Sequence, residues 1–303
     1  MRAFPRVPRP ASRPVPRTFW DAISDATARL EEISESPQLD AELLLRHVTG
    51  LDRVKVFLRY DKPLATEHDE AFEQLVARRA AGEPIPYIIG RRWFRTIELF
   101  VDRRALIPRP ETERFVHYAL AWLATHPGPR RVVDVGTGSG AIALALAIEL
   151  GSTRPDVQIV ATERYRSALD VAIINREQLG LRERVDLIQA DLLAGIPGPF
   201  DLILANMPYL RPDQTHYSTE LEPDEALFGG LDGFDLHRRL LGQAAECLAP
   251  GGLWVGELDP EQEELGVNVA TAAMGRAVRV DQDYSGDARY LLVGDAPDRS
   301  QAT

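Results

Sequence analysis

Beyond Arg130 the chain repeats one unit, a short apolar run rich in valine and isoleucine followed by a longer helical stretch. The runs occupy residues 132–135, 157–161, 185–188 and 202–205, with helical stretches at 141–150 and 168–179. A further helix is expected over about 236–247, a strand over 253–258, and late strands near 277–280 and 289–293. Strand-helix alternation of this kind implies a parallel sheet covered on both faces, because the crossovers between parallel strands carry the helices. Ligands of such sheets bind beyond the carboxyl ends of the strands. The chemistry is therefore sought in the residues that follow each apolar run.

The preceding part of the chain reads differently. From Thr18, apolar residues recur at helical spacing: Trp20, Ile23, Thr27 and Leu30, then Leu39, Leu43, Leu44 and Val48, then Phe72, Leu75 and Val76. Pro37 and Pro63 mark helix starts, Gly50 and Gly82 helix ends. Gly82-Glu83-Pro84-Ile85-Pro86 reads as a linker, and alternating β-type residues around 93–101 suggest a hairpin. The expected organisation is a leader at 1–17, a helical domain at 18–82, linker and hairpin at 83–105, a catalytic domain at 106–295 and a tail at 296–303. The leader carries five arginines, five prolines and no acid; the prolines oppose an amphipathic presequence helix, and a disordered tail is expected.

Composition removes several classes. No apolar stretch approaches the roughly 20 residues of a membrane helix, and the lone Cys247 has no internal disulfide partner, so a cytoplasmic protein is expected. The formal net charge of −11 argues against a chain built to grip phosphate backbones, so nucleic acid is not an expected partner. The six histidines form no metal-ligand spacing with Cys247, and Ser139 lacks the frame of a nucleophile elbow; no metal is expected.

Gly136-Thr137-Gly138-Ser139-Gly140 turns a buried strand into a helix, which suits a nucleotide-like cofactor: glycines admit close approach and the helix start offers N–H donors. The same spacing fits a dinucleotide fingerprint. Glu163, at the end of the next strand, can accept both ribose hydroxyls of either NAD or S-adenosyl-L-methionine. Asp191 and Leu192 follow the third strand, where a carboxylate can meet an adenine amino group and an apolar side chain can cover the ring.

After the fourth strand comes Asn206-Met207-Pro208-Tyr209. A dehydrogenase has no use for it. The Asn206 side-chain oxygen and the carbonyl of residue 207 can accept the two hydrogens of a planar nitrogen while Tyr209 stacks on the flat group. Such acceptors stabilise charge developing on nitrogen. S-Adenosyl-L-methionine-dependent N-methylation follows, with Asn206, Pro208 and Tyr209 as catalytic residues. Asn206 through Tyr209 are thus candidates to hold the acceptor, and Gly136 through Gly140, Glu163, Asp191, Leu192 and Asn206 candidates to hold the cofactor.

These residues, with Leu106-Ile107-Pro108-Arg109-Pro110-Glu111-Thr112-Glu113, Ala80-Ala81-Gly82-Glu83-Pro84, Glu222-Pro223-Asp224-Glu225-Ala226-Leu227, Gly229-Gly230 and Asp232-Gly233-Phe234-Asp235-Leu236, resemble the release-factor glutamine N5-methyltransferases. The resemblance runs from about residue 20 to 293. It implies a small N-terminal helical domain for substrate recognition joined to a Rossmann-like α/β class I methyltransferase domain. It also implies a peptide chain release factor as substrate, modified at the glutamine of a Gly-Gly-Gln loop. The family's first motif proline is Met207 here. A flexible thioether beside the pocket leaves open a divergent paralogue that methylates a small guanidine or amine such as free arginine, with Glu220, Glu222, Asp224 and Glu225 as its anionic surround. An adenine N6-methyltransferase and a binding module without activity complete the alternatives.

Overall fold

The computed structural model describes residues 16–214 and 221–298. The leader through residue 15, Glu220 and the tail from residue 299 lie outside the described residues. Two compact units divide between Ile89 and Gly90.

The first unit is helical: α1 (Phe19–Leu30), α2 (Pro37–Thr49), α3 (Arg53–Phe57), α4 (Thr66–Ala80) and α5 (Ile85–Ile89). Thr18 and Asp21 close a capping box at the start of α1, and Pro37 opens α2, which ends on the left-handed Gly50. Leader character ends before Arg17, whose guanidinium pairs with Asp25, Asp69 and Glu73 and so ties the chain to α1 and α4. Of the residues read as linker, Ile85 and Pro86 instead open α5, because Ile85 and Ile88 join the core of this unit.

The apolar phase of α1 also differs from the expectation. Phe19, Ala22, Ile23, Ala26 and Leu30 are buried, whereas Trp20 is 49% exposed and lies 5.3 Å from the Tyr60 ring. Leu39 is exposed as well. The buried stripe uses small alanines, which a reading keyed to large side chains passes over.

The second unit opens with an antiparallel hairpin of β1 (Arg91–Phe94) and β2 (Ile97–Phe100). Then follow α6 (Glu113–Thr125), β3 (Arg130–Val135), α7 (Ala141–Leu150), β4 (Val157–Glu163), α8 (Arg166–Gln178), β5 (Val185–Gln189) and β6 (Phe200–Ala205). The remaining elements are α9 (Asp235–Cys247), β7 (Leu248–Glu257), α10 (Glu263–Met274), β8 (Val278–Gln282) and β9 (Ala288–Gly294). Seven strands form one sheet in the order β5-β4-β3-β6-β7-β9-β8. The sheet is mostly parallel, not wholly so: β9 runs antiparallel to both β7 and β8. The physical reason is the short link from Gln282 to Ala288, long enough for a hairpin and too short for a crossover.

Val133, Val135, Ile203, Ala205 and Trp254 bury the sheet's interior, and α7 is apolar apart from Glu149 because it is buried on most of its surface. From β3 the chain moves outward through β4 and β5, then returns to β6 on the other side of β3. The order therefore reverses between β3 and β6, the crevice where open α/β sheets bind ligands.

Candidate active site

The loops after β3 and β6 flank that reversal, and each is held in its own way. On the β3 side the backbone carries the geometry. The N–H groups of Gly136 and Thr137 both donate to the Thr162 carbonyl, at 2.8 and 2.9 Å, which stitches the turn to β4. Beneath it, the fully buried Asp134 accepts from Thr137 Oγ1 at 2.6 Å and from the Ala143 N–H at 3.2 Å. Burial pushes its carboxyl up to about 7, opposed by those hydrogen bonds. Glu163 accepts from the Gly138 N–H at 3.0 Å and the Tyr165 N–H at 2.9 Å; burial raises its carboxyl above the ordinary range.

Gly136 and Gly138 have φ of 70° and 57°, and a Cβ on Gly138 would meet no atom within 4 Å. The turn thus opens onto a cleft that Glu163, Asp191, Leu192 and Met207 also line. Leu192 adopts a left-handed φ of 57°, costing a leucine about 1–2 kcal/mol. Asp191 Oδ2 accepts from Arg239 at 2.6 Å, while its Oδ1 is buried with no protein partner. Such an atom calls for a donor from elsewhere. Thr137, Ser139 and Gly140 do not line this cleft. Thr137 and Ser139 border a smaller recess that Asn206 and Thr112 share, and the Ser139 carbonyl accepts from Asn175 Nδ2 at 2.9 Å.

On the β6 side, side chains from distant parts of the chain do the holding. Asn206 Nδ2 donates to Thr112 Oγ1 at 2.9 Å, so the amide oxygen points to the other side. Thr112 Oγ1 donates in turn to Glu257 Oε2 at 3.5 Å, and Tyr209 Oη donates to Glu257 Oε1 at 3.2 Å. Glu257 ends β7 and is fully buried; burial pushes its carboxyl up to about 7 against the pull of Arg289. Desolvation, then the charge of Glu257, raises the Tyr209 hydroxyl, which stays protonated. The loop backbone is pinned where Gln262 Nε2 donates to the Tyr209 carbonyl at 3.1 Å and where Leu210 pairs with Leu227. A Cβ on Gly229 would lie 2.4 Å from the Pro208 carbonyl oxygen, and one on Gly233 2.1 Å from that of Tyr209. Only glycine fits at either place. A second cavity, lined by Asn206, Met207, Pro208, Tyr209, Glu257 and Arg289, adjoins the cleft on this side.

Met207 is buried, and its methyl carbon packs where a Cβ on Gly136 would stand, 2.3 Å from that position. The thioether therefore joins the two loops. The acidic surround expected for a cationic acceptor is also reduced: Glu222 is buried in an ion pair with Arg109 and accepts from the Ile107 N–H at 3.1 Å. Glu225 does line the cleft, and Glu220 lies outside the described residues. Thr112, Glu257, Gln262 and Asn175 hold these loops by hydrogen bonds, and the sequence reading did not single them out. Asn175 ties β2 and the glycine turn to α8 through the Phe100 N–H, the Phe100 carbonyl and Ser139. Thr112 stood inside a quoted motif, but nothing local indicates its partner 145 residues away.

Comparison with known proteins bears on both units. Residues 21–90 match the PrmC N-terminal domain family and residues 129–256 a methyltransferase domain family. The release factor glutamine methyltransferase of Deinococcus radiodurans is 40% identical over 276 residues, which cover 89% of this chain and 96% of that protein. That of Xylella fastidiosa strain 9a5c is 43% identical over 239 residues, 78% of this chain and 82% of that one. The Escherichia coli protein of the same name is 35% identical over 274 residues, 89% and 96% of the two chains. Among solved structures, the hMettl16 catalytic domain in complex with MAT2A 3′UTR hairpin 6 superposes with a TM-score of 0.52 at 16% identity, over 73% of this chain and 82% of that one. That likeness is one of fold alone.

Proposed function

The chain belongs to the release factor glutamine methyltransferase family, and from that premise we propose that it methylates the side-chain amide nitrogen (N5) of the Gly-Gly-Gln glutamine in peptide chain release factors. The methyl donor is S-adenosyl-L-methionine. The cleft fits it: a glycine turn with open space above Gly138, a buried carboxylate at Glu163, an unsatisfied carboxylate oxygen on Asp191, and an apolar cover from Leu192. When bound, the donor supplies an electrophilic methyl group on a positively charged sulfur.

One observation carries the reading: the direction of the hydrogen bond at Asn206. With Nδ2 given to Thr112, Oδ1 is the atom presented to a substrate. An amide nitrogen is a poor nucleophile because its lone pair is shared with the carbonyl. Oδ1 of Asn206 and the carbonyl of Met207 accept its two hydrogens, turn the lone pair out of conjugation and stabilise the positive charge that grows on nitrogen. Tyr209 covers the face of the amide, with its hydroxyl anchored on Glu257. Holding nitrogen near the donor's methyl carbon converts an encounter into an oriented step. Met207 keeps the carbonyl that this role requires, and Pro208 biases it to the extended backbone.

The same reading assigns the protein to the cytoplasm, together with its substrate; no helix among the described residues is long and apolar enough to cross a membrane. Incubating the purified protein with a release factor and methyl-labelled donor, then mapping the label by mass spectrometry, tests the proposal. A single methyl group on the Gly-Gly-Gln glutamine is expected. No label there overturns it, and labelled free arginine in a parallel reaction points to the guanidine instead.

A further inference from the structure

We propose that Glu257 is the positioning residue of the acceptor site, its two carboxylate oxygens setting the direction of the hydrogen-bond chain that aims Asn206 Oδ1 at the substrate nitrogen. The inference rests on the functional reading above and concerns a residue that makes no contact with the reacting atoms.

The argument is one of proton counting. Thr112 has a single hydroxyl proton, and Glu257 Oε2, across a long 3.5 Å, is the carboxylate oxygen placed to accept it. Its oxygen can then only accept from Asn206, which must present Nδ2 to Thr112 and Oδ1 to the opposite side. Tyr209 likewise has one proton, given to Glu257 Oε1, which fixes the tilt of the ring. A carboxylate is the one side chain group of this size that accepts on both oxygens. A protonated carboxyl or an amide offers an acceptor to only one of the two hydroxyls and a donor to the other. If the donor faces Thr112, the Thr112 proton turns toward Asn206 and the amide reverses, setting N–H against the N–H of the substrate.

The surroundings keep Glu257 in place. Its backbone carbonyl accepts from His237 Nε2 at 2.8 Å, and it pairs with Tyr290 in the sheet. Arg289, itself paired with Asp283 at 3.2 Å, supplies the nearby positive charge. A buried carboxylate without such partners would be costly.

The test compares the full-length parent with Glu257→Gln, Thr112→Val and Thr112→Ser. It reads kcat and KM for the release factor at saturating donor, donor Kd by calorimetry, and thermal unfolding. Glu257→Gln keeps size and shape, so a purely packing role predicts parental turnover. The positioning role predicts a kcat about a hundredfold lower with donor Kd within twofold. Thr112→Val is expected to lose turnover in the same sense, and Thr112→Ser to recover it relative to Thr112→Val. Parental kcat in Glu257→Gln overturns the assignment, as does a fall in kcat matched by equally weakened donor binding. If Glu257→Gln fails to fold, the threonine pair decides, and parental turnover in Thr112→Val overturns it. A parent that leaves the glutamine unmethylated overturns the functional reading, whereas a methylating parent with an undiminished Glu257→Gln overturns this inference alone.

Discussion

The two loops at the sheet's reversal differ in what builds them. After β3, the chain shapes the turn from its own backbone: Gly136, Thr137 and Gly138 find their partners in Thr162 and Glu163, on the adjacent strand. After β6, the geometry comes from side chains far apart in the chain, with Asn206 held by Thr112 across 94 residues and Tyr209 by Glu257 across 48. A sulfonium cofactor with a large fixed shape suits the first kind of site, which needs room and backbone donors. A planar nitrogen that must be turned by two acceptors suits the second, which needs directed polarity. The difference predicts that changes on the two sides separate into donor affinity and turnover.

Asn206→Ala is the strongest test. Losing one charge-stabilising acceptor is expected to lower kcat about 10²–10³-fold with donor affinity unchanged; an equal fall in both, read by single-turnover kinetics and calorimetry, breaks the separation. On the other loop, Gly136→Ala puts a side chain at φ 70° and into the methyl carbon of Met207. A left-handed penalty of about 1–2 kcal/mol should appear as donor binding about tenfold weaker, with kcat at saturating donor less affected. Acid should act on the acceptor side. Glu257 faces Tyr209, Thr112, Arg289, Glu111 and Tyr290 and holds its carboxyl near pH 7, and only the ionised form accepts on both oxygens. At saturating donor, kcat is therefore expected to fall about tenfold from pH 8 to pH 6, a limb that Glu257→Gln should lack.

Tyr209→Phe keeps the ring and removes one hydrogen bond, worth about 1 kcal/mol, or roughly a fivefold loss in kcat. The smallest effect should come from Arg239→Ala. Its pair with Asp191 is substantially exposed, so a contribution of about 0.5 kcal/mol changes donor Kd only about twofold.

The same contrast governs how far the chain can be read without its structure. The glycine turn, the strands around it and the place of Glu163 at a strand end were legible because each reflects local spacing: an apolar run, a turn that requires positive φ, a helix start. Asn206 to Tyr209 were legible as a motif for the same reason. Glu257 was not, since a carboxylate closing an apolar strand carries no sign that its partners are Thr112 and Tyr209. The shifted phase of α1, where Ala22 and Ala26 replace Trp20 in the core, and the reversed β9 were missed because tertiary packing and a short connection decide them. The glycines at 229 and 233 belong with Glu257: their positions were visible, and their purpose, room for the Pro208 and Tyr209 carbonyls, depends on contacts made only on folding.

The central claim is that Asn206 Oδ1 and the Met207 carbonyl receive the two hydrogens of a glutamine amide. A crystal structure with S-adenosylhomocysteine and a Gly-Gly-Gln peptide measures this directly. The account predicts the amide nitrogen within about 3 Å of both oxygens, facing the sulfur across the space a methyl group would fill. An amide seated elsewhere, or Asn206 presenting Nδ2 to it, would contradict the account.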